Sequence, residues 1–142
     1  MKYTAPQTDM RFVLFDVLDA PSIYAQLPGG ESVSQELIEA ILEEGAKFCE
    51  QVLVPTNAIG DEEGCHFDKA TLSVTTPAAF KDAYNRFVEG GWSGLVGDPA
   101  YGGQGLGCLA AGVIHEEIAR ADLSLSYINL LASLNGQILA HH

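Results

Sequence analysis

A glycine-rich run that precedes a helical pattern is the first place where the sequence could do chemistry. Gly103-Gln-Gly-Leu-Gly107 could bring backbone N–H groups to a phosphate at a helix N-terminus. The dinucleotide fingerprint, however, is G-x-G-x-x-G directly after a strand, whereas this run is G-x-G-x-G after a loop that holds Asp98-Pro99. The spacing therefore favours a loop that brings two helices close together, or that borders a pocket, over a phosphate site.

Metal and acid–base motifs are only partly represented. His115-Glu116-Glu117 begins like a helical zinc motif, which needs a second histidine one turn later, but Ala119 occupies that position. Glu116 and Arg120 have the spacing of an ordinary surface ion pair on a helix. The chain has no recognisable Ser/His/Asp or Cys/His arrangement, so the sequence supplies no catalytic group and no metal site.

Composition excludes several function classes. The formal charge of −12, from 7 basic and 19 acidic residues, argues against nucleic acid and against an anionic membrane surface as partners. The three cysteines lack paired spacing, and Cys49 is predicted to be a small core residue. The N-terminus has no apolar signal core, and residues 123–142 are too polar to span a membrane. A cytoplasmic protein with no membrane span is predicted.

The elements that must position these residues begin with an arm, residues 1–31. Within it, residues 1–18 are predicted to be an extended stretch that turns into a short apolar segment, residues 11–18, which is too short to be assigned as helix or strand. A short helix is possible after Asp19-Ala-Pro21, and Leu27-Pro-Gly-Gly30 breaks it. Residues 32–142 form the second predicted unit.

Most of that second unit has helical periodicity, which predicts an all-α domain. Its first helix is expected to run from a capping box at Ser32 and Gln35 to Pro55, with a surface loop over residues 56–76. A second helix is expected from Thr76-Pro77 to Gly90-Gly91, a third from about Gly107 to Ala121, and a fourth from near Asp122 or Ser124. Strand character is limited to the arm and residues 92–96.

The fourth helix is unusual because no charged side chain follows Asp122, counting histidines as neutral. Its apolar residues cover nearly the whole circumference, as is typical of a helix in the interior of a larger protein. Two interpretations stay open: simple core packing, or an apolar wall of a ligand pocket with a few polar groups placed in it. His141-His142 are compatible with a native ending or with an affinity tag.

Two motifs, in order, resemble the N-terminal α-domain of the acyl-CoA dehydrogenases. Asp98-Pro-Ala-Tyr-Gly-Gly-Gln-Gly-Leu106 is similar to the Pro-x-x-Tyr-Gly-Gly-x-Gly loop of that family, and His115-Glu-Glu-Ile-Ala-Arg-Ala-Asp122 to its next helix. The arm, with Tyr3-x-Ala-Pro6 and the segment up to Leu18, resembles the extra segment of a long bacterial branch that includes the 3-(methylthio)propanoyl-CoA dehydrogenases.

The resemblance implies an FAD-dependent enzyme that oxidises an acyl-CoA to a trans-2-enoyl-CoA and passes electrons to an electron-transfer flavoprotein. It also implies a homo-oligomer and an N-terminal, bundle-like helical domain that borders the acyl chain. Gapless matching puts the pocket wall at Tyr127, Leu130, Leu131 and Leu134. The loop that shapes the domain near the pocket is placed at Tyr101, Gly102, Gly103 and Gly105.

The sequence departs from the family pattern in stopping where a middle β-domain is expected. No catalytic glutamate, flavin-binding residue or metal ligand is therefore carried over, and the chain is interpreted as an inactive N-terminal fragment that holds no FAD alone. The alternative is a free-standing helical module that binds a protein or an acyl thioester. A split enzyme with its other domains on a second polypeptide is a further possibility.

Overall fold

Helices dominate the computed structural model, which describes residues 3–140 apart from the side chains of residues 129, 133, 137 and 140. His141-His142 lie outside the described residues. The α-helices are α1 (Gln7–Arg11), α2 (Ala20–Tyr24), α3 (Gln35–Phe48), α4 (Val54–Glu63), α5 (Ala78–Glu89), α6 (Cys108–Ala121) and α7 (Leu123–Ala140). Strands β1 (His66–Asp68) and β2 (Ser73–Thr75) pair as an antiparallel hairpin. The predicted all-α class is confirmed, with this small hairpin as an addition.

The N-terminal arm is not extended over most of its length. A helix begins at Gln7, and π-helix Phe12–Val17 continues it without a break. Met10 and Leu14 lie four residues apart and are buried, so this helix turns one face to the core. Together with Tyr24, they belong to the same hydrophobic core as residues of α3 and α6. Burial of that face explains why the ambiguous apolar segment folds as a helix.

Helix α3 begins two residues later than predicted. Its N-cap is Ser34, whose hydroxyl accepts a hydrogen bond from the backbone N–H of Leu37 at 3.2 Å. Ser32 lies in a 3-10 turn instead, and its hydroxyl bonds to the carbonyl of Gly29 at 3.4 Å. Either serine hydroxyl could cap a helix. Ser34 does so here because Ser32 belongs to the preceding 3-10 turn.

The prediction that Pro55 ends the first helix is wrong. A π-helical segment, Cys49–Leu53, follows α3 directly, and α4 then starts with Pro55 in its first turn. Proline is tolerated there because the N–H that it lacks would have no partner within the new helix. The hydroxyl of Thr56 donates to the carbonyl of Val52 at 2.7 Å and satisfies an acceptor at this junction.

The region expected to be a surface loop, residues 56–76, holds most of α4 and the hairpin instead. Gly60 sits inside α4 because a Cβ there would lie 2.8 Å from the ring of Phe80 on α5. Helix α5 ends before Gly90-Gly91, as predicted, and Gly91 has a φ of 75°. The weak strand character of residues 92–96 is not realised, since Trp92–Gly94 forms a 3-10 turn.

Helix α6 has the predicted bounds and a cap from far away in the sequence. Its N-cap, Gly107, has no side chain to bond the first turn. The hydroxyl of Tyr24 accepts the backbone N–H of Ala110 at 3.0 Å and donates to the carbonyl of Gly107 at 3.2 Å. A Cβ on Gly107 would lie 2.5 Å from Cε1 of Tyr24. Glycine is therefore needed so that α2 can cap α6.

Removing this hydroxyl tests its contribution. We expect Tyr24→Phe to keep the buried ring but to lower the free energy of unfolding by about 1–2 kcal/mol, as loss of a buried helix cap does. Urea denaturation measures the change. Tyr84→Phe is the control, because Tyr84 lies exposed on α5. Equal stability of the two variants would contradict the assigned role of Tyr24.

Candidate functional site

Helix α7 starts at a buried aspartate and then leaves the core. Oδ1 of Asp122 accepts the backbone N–H of Leu125 at 3.1 Å, which fixes the first turn. Burial raises the pKa of Asp122, while its backbone hydrogen bonds lower it. Leu125 is buried in the core, and α7 packs on α6 and against the Trp92–Gly94 turn.

Most of the apolar surface described on α7 faces outwards. Eight of its side chains are 44–79% exposed: Leu123, Tyr127, Ile128, Leu130, Leu131, Leu134, Ile138 and Leu139. Exposed apolar side chains in this number on one helix are typical of a surface that meets a ligand or another protein. None of the described helices combines the length and apolar character needed to cross a membrane.

A groove of about 340 Å³ runs between α6 and α7. Its lining residues are His115, Glu116, Ile118, Ala119, Leu123, Ser126, Tyr127 and Leu130. Two of the four predicted pocket-wall residues, Tyr127 and Leu130, are therefore brought together here. Leu131 and Leu134 lie on α7 outside this lining. Apolar walls with a few polar groups suit an acyl chain.

His115 is half-buried at one side of this groove. Burial lowers its pKa, because a charged imidazolium loses solvation there. The neutral ring is thus favoured near pH 7, and it adds a hydrogen-bonding group without adding charge.

The glycine loop is held by its own backbone. The N–H groups of Gln104, Gly105 and Leu106 donate to carbonyls of Gly94, Gly97 and Leu95 at 2.8–2.9 Å. A Cβ on Gly103 would lie only 2.1 Å from the carbonyl of Gly97, so the two passes of backbone touch. These N–H groups are already bonded, and this agrees with a shaped loop rather than a phosphate cradle.

The loop residues named from the sequence do not line the groove between α6 and α7. Tyr101 is 85% exposed, and Gly102, Gly103 and Gly105 form the turn beside it. The loop pairs with the residues that follow the Trp92–Gly94 turn, and α7 rests on that turn. The loop therefore affects the groove only indirectly, because it stabilises the turn on which α7 packs.

Glu117 is a buried acidic residue that sequence reasoning missed. It has no exposed surface, and within the described part of the chain neither carboxyl oxygen has a hydrogen-bond partner. Burial, and then the charge of Glu50, raise its pKa to about 7, while Arg120 acts in the opposite direction. Helical spacing from Ile114 and Ala121 could have placed it on the buried face. In the sequence it stands out only as part of His115-Glu116-Glu117.

Metal coordination finds no support in residues 3–140. Nowhere in that range do three or more His, Cys, Asp or Glu side chains come together as metal ligands would. The Glu116–Arg120 ion pair forms as predicted, at 3.3 Å, and Cys49 is fully buried as predicted. Burial raises the pKa of Cys49 to about 12, so this thiol is inert near neutral pH.

The comparisons with known proteins decide the family. Residues 35–142 match the family model described as acyl-CoA dehydrogenase, N-terminal domain. The chain belongs to the acyl-CoA dehydrogenase family. It is 32% identical over 138 residues to 3-methylmercaptopropionyl-CoA dehydrogenase of Ruegeria pomeroyi. The matched residues are 97% of this chain and 23% of that protein.

Two further acyl-CoA dehydrogenases are similar to the chain. A butyryl-CoA dehydrogenase of Syntrophomonas wolfei is 32% identical over 63% of this chain and 15% of its own length. A broad-specificity linear acyl-CoA dehydrogenase of Mycobacterium tuberculosis is 30% identical over 84% of this chain and 20% of its own length. The chain thus spans less than a quarter of the length of these relatives.

The buried carboxyl predicts how stability depends on pH. With a folded-state pKa near 7 against 4.5 in the unfolded chain, Glu117 keeps its proton in the folded state while the unfolded chain releases it. The free energy of unfolding should therefore fall by about 3 kcal/mol as the pH rises from 4.5 to 7, and then level off.

Chemical denaturation at a series of pH values measures this loss against two variants. Glu117→Gln should remove the part of the loss that Glu117 causes and leave only the contribution of Asp122, whose pKa is also raised, whereas Glu116→Gln, on the exposed side of the same helix, should keep the full loss. An identical slope in wild type and Glu117→Gln would show that another group is responsible.

Proposed function

We propose that this chain is the N-terminal helical domain of an FAD-dependent acyl-CoA dehydrogenase. In this proposal the whole protein removes hydrogens from the α and β carbons of an acyl-CoA and releases a trans-2-enoyl-CoA. The chain supplies an apolar wall for the acyl group and assembly contacts. The catalytic base lies outside the described residues.

The exposed apolar face of α7 carries the proposal. A charge-free helix on an acidic protein would be poorly solvated if it stayed uncovered, and fully burying one leucine contributes about 1.5–3 kcal/mol. The groove beside Tyr127 and Leu130 has the lining expected for a hydrocarbon chain. We infer that Leu131 and Leu134 extend this wall when further protein covers α7.

The described residues do not by themselves fit FAD. The glycine loop is the natural candidate for a diphosphate cradle, but the N–H groups of Gln104, Gly105 and Leu106 bond to backbone carbonyls of residues 94–97. We therefore place the flavin on other parts of the longer protein, where it would accept the hydride. The residues of α6 and α7 would hold the acyl chain and exclude water from it.

Further partners follow from the family rather than from these contacts. We propose an electron-transfer flavoprotein as electron acceptor, a homo-oligomeric assembly and a cytoplasmic location. We also propose that residues 1–31 act as an extension and residues 32–142 as the family domain.

A free-standing helical module that binds a protein or an acyl thioester is the alternative, and the apolar surface of α7 suits it as well. The coding sequence past residue 142 separates the two. A continuation into a β-rich segment supports the enzyme domain, and a stop codon supports the module. Co-purification of a second polypeptide with the missing domains would indicate a split enzyme.

Purified alone, the 142-residue chain is expected to be colourless and without dehydrogenase activity, because in this proposal the flavin and the catalytic base belong to other parts of a longer protein. The measurements are flavin absorbance, roughly between 350 and 500 nm, and the reduction of an artificial electron acceptor. Flavin absorbance that bleaches when acyl-CoA is added would contradict the proposal.

In the longer enzyme, Leu130→Trp should fill part of the groove. We expect kcat/KM for longer acyl chains to fall about tenfold or more, a loss of at least about 1.4 kcal/mol in transition-state stabilisation, with little change for the shortest substrates. Leu139→Trp, at a residue outside the groove lining, is the matched control. Equal losses at all chain lengths would argue against an acyl wall at Leu130.

A further inference from the structure

The groove between α6 and α7 differs in polarity from one end to the other. The two helices meet at Asp122, and Ile118 and Leu123 give the groove apolar walls next to that joint. His115 lines the groove seven residues before Asp122, and Leu130 lines it eight residues after. At roughly 1.5 Å of rise per residue, both lie about 10–12 Å along their helices from the joint. The imidazole and Leu130 therefore occupy the end of the groove that is remote from the joint.

His115 is a polar group of this groove that remains available to a ligand. The hydroxyl of Ser126 donates to the carbonyl of Leu123 at 2.7 Å, and the carboxylate of Glu116 pairs with Arg120 at 3.3 Å. Among the hydrogen bonds formed within residues 3–140, none involves the ring of His115. Burial lowers its pKa, so near pH 7 the neutral ring offers one N–H donor and one acceptor nitrogen.

A plain hydrocarbon in the groove would leave this ring without a partner. In the function proposed above, further protein covers α7, so water that hydrates the imidazole would be excluded from this end of the groove. A donor or acceptor that loses water and gains no partner is destabilising. A hydroxyl group on the acyl chain would restore the lost hydrogen bond, whereas a methyl group in the same place would not.

Charge in and around the groove disfavours an anionic substituent. Glu116 brings a negative charge to the lining, and the whole chain has a formal charge of −12. The neutral ring of His115 supplies no compensating cation. A carboxylate on the acyl chain would therefore be repelled, which leaves uncharged polar groups as the chemistry that fits this end of the groove.

We propose that the groove between α6 and α7 selects an acyl group with an uncharged hydrogen-bonding substituent, and that His115 is the residue that recognises it. This inference rests on the proposed function and deepens it, since it names the kind of acyl-CoA that the longer enzyme prefers. The imidazole contacts the substituent and takes no part in the removal of hydrogen, so its effect falls on substrate binding.

Matched acyl-CoA pairs test this recognition in the longer enzyme. Each pair consists of an ω-hydroxyacyl-CoA and the acyl-CoA in which a methyl group replaces the hydroxyl, over a series of chain lengths. Where the hydroxyl reaches the imidazole, its KM should be about tenfold lower than that of the methyl partner, with kcat little changed. The corresponding ω-carboxyacyl-CoA should have a higher KM than either. Equal KM values within every pair, or a preference for the carboxylate, would overturn the inference.

Two variants at position 115 assign the preference to this side chain. His115→Leu should abolish the preference for the hydroxyl group, whereas His115→Gln, which retains a donor and an acceptor, should keep most of it. His66→Leu is the matched control and should behave like wild type, because His66 lies exposed on β1 and outside the groove lining. A full preference for the hydroxyl group in His115→Leu would contradict the role of His115.

The same measurements separate this inference from the proposed function. Oxidation of the methyl-ended acyl-CoAs without any preference for their hydroxyl partners would leave the proposed function standing and overturn the inference alone. If the longer protein oxidised none of these thioesters, the proposed function would fail, and the inference would fall with it.

Discussion

The hydrogen bond from the N–H of Ala110 to the Tyr24 hydroxyl fixes the start of α6, and the rest of the fold is arranged around that helix. Helix α6 packs on α3 and the π-helical segment on one side and on α7 on the other. A shift of its first turn would move the walls of the groove as well as the buried face that carries Glu117. The arm region therefore does more than extend the domain, since α2 holds a helix more than eighty residues away.

Two faces of α6 have opposite characters, and this contrast organises the candidate functions. The inner face buries Ile114, Glu117 and Ile118 against the core. The outer face, with His115 and Ala119, is open to the groove. One helix thus connects a buried titratable group with the surface that we propose for the acyl chain.

Helix periods and stop signals were sufficient to predict the class, the ends of α5 and α6, and the start of α7. They failed where tertiary contacts override a local signal. Pro55 should end a helix, but the π-helical turn before it lets the chain continue. The cap on α6 could not be predicted from local sequence, because Gly107 has no side chain and Tyr24 lies far away. Glu117 is different, because the helical spacing from Ile114 and Ala121 does place it on the buried face, and only its charge argued against burial.

We propose that further protein and the acyl ligand cover the exposed apolar side chains of α7 in the assembled enzyme. Hydroxyl-radical footprinting of Tyr127 and Leu131 tests it directly, in the 142-residue chain and in the longer protein. Both side chains are 58% exposed here, so they should be modified readily in the short chain. We expect strong protection of both side chains in the longer protein, and further protection of Tyr127 when acyl-CoA is bound. Equal modification in all three samples would contradict it.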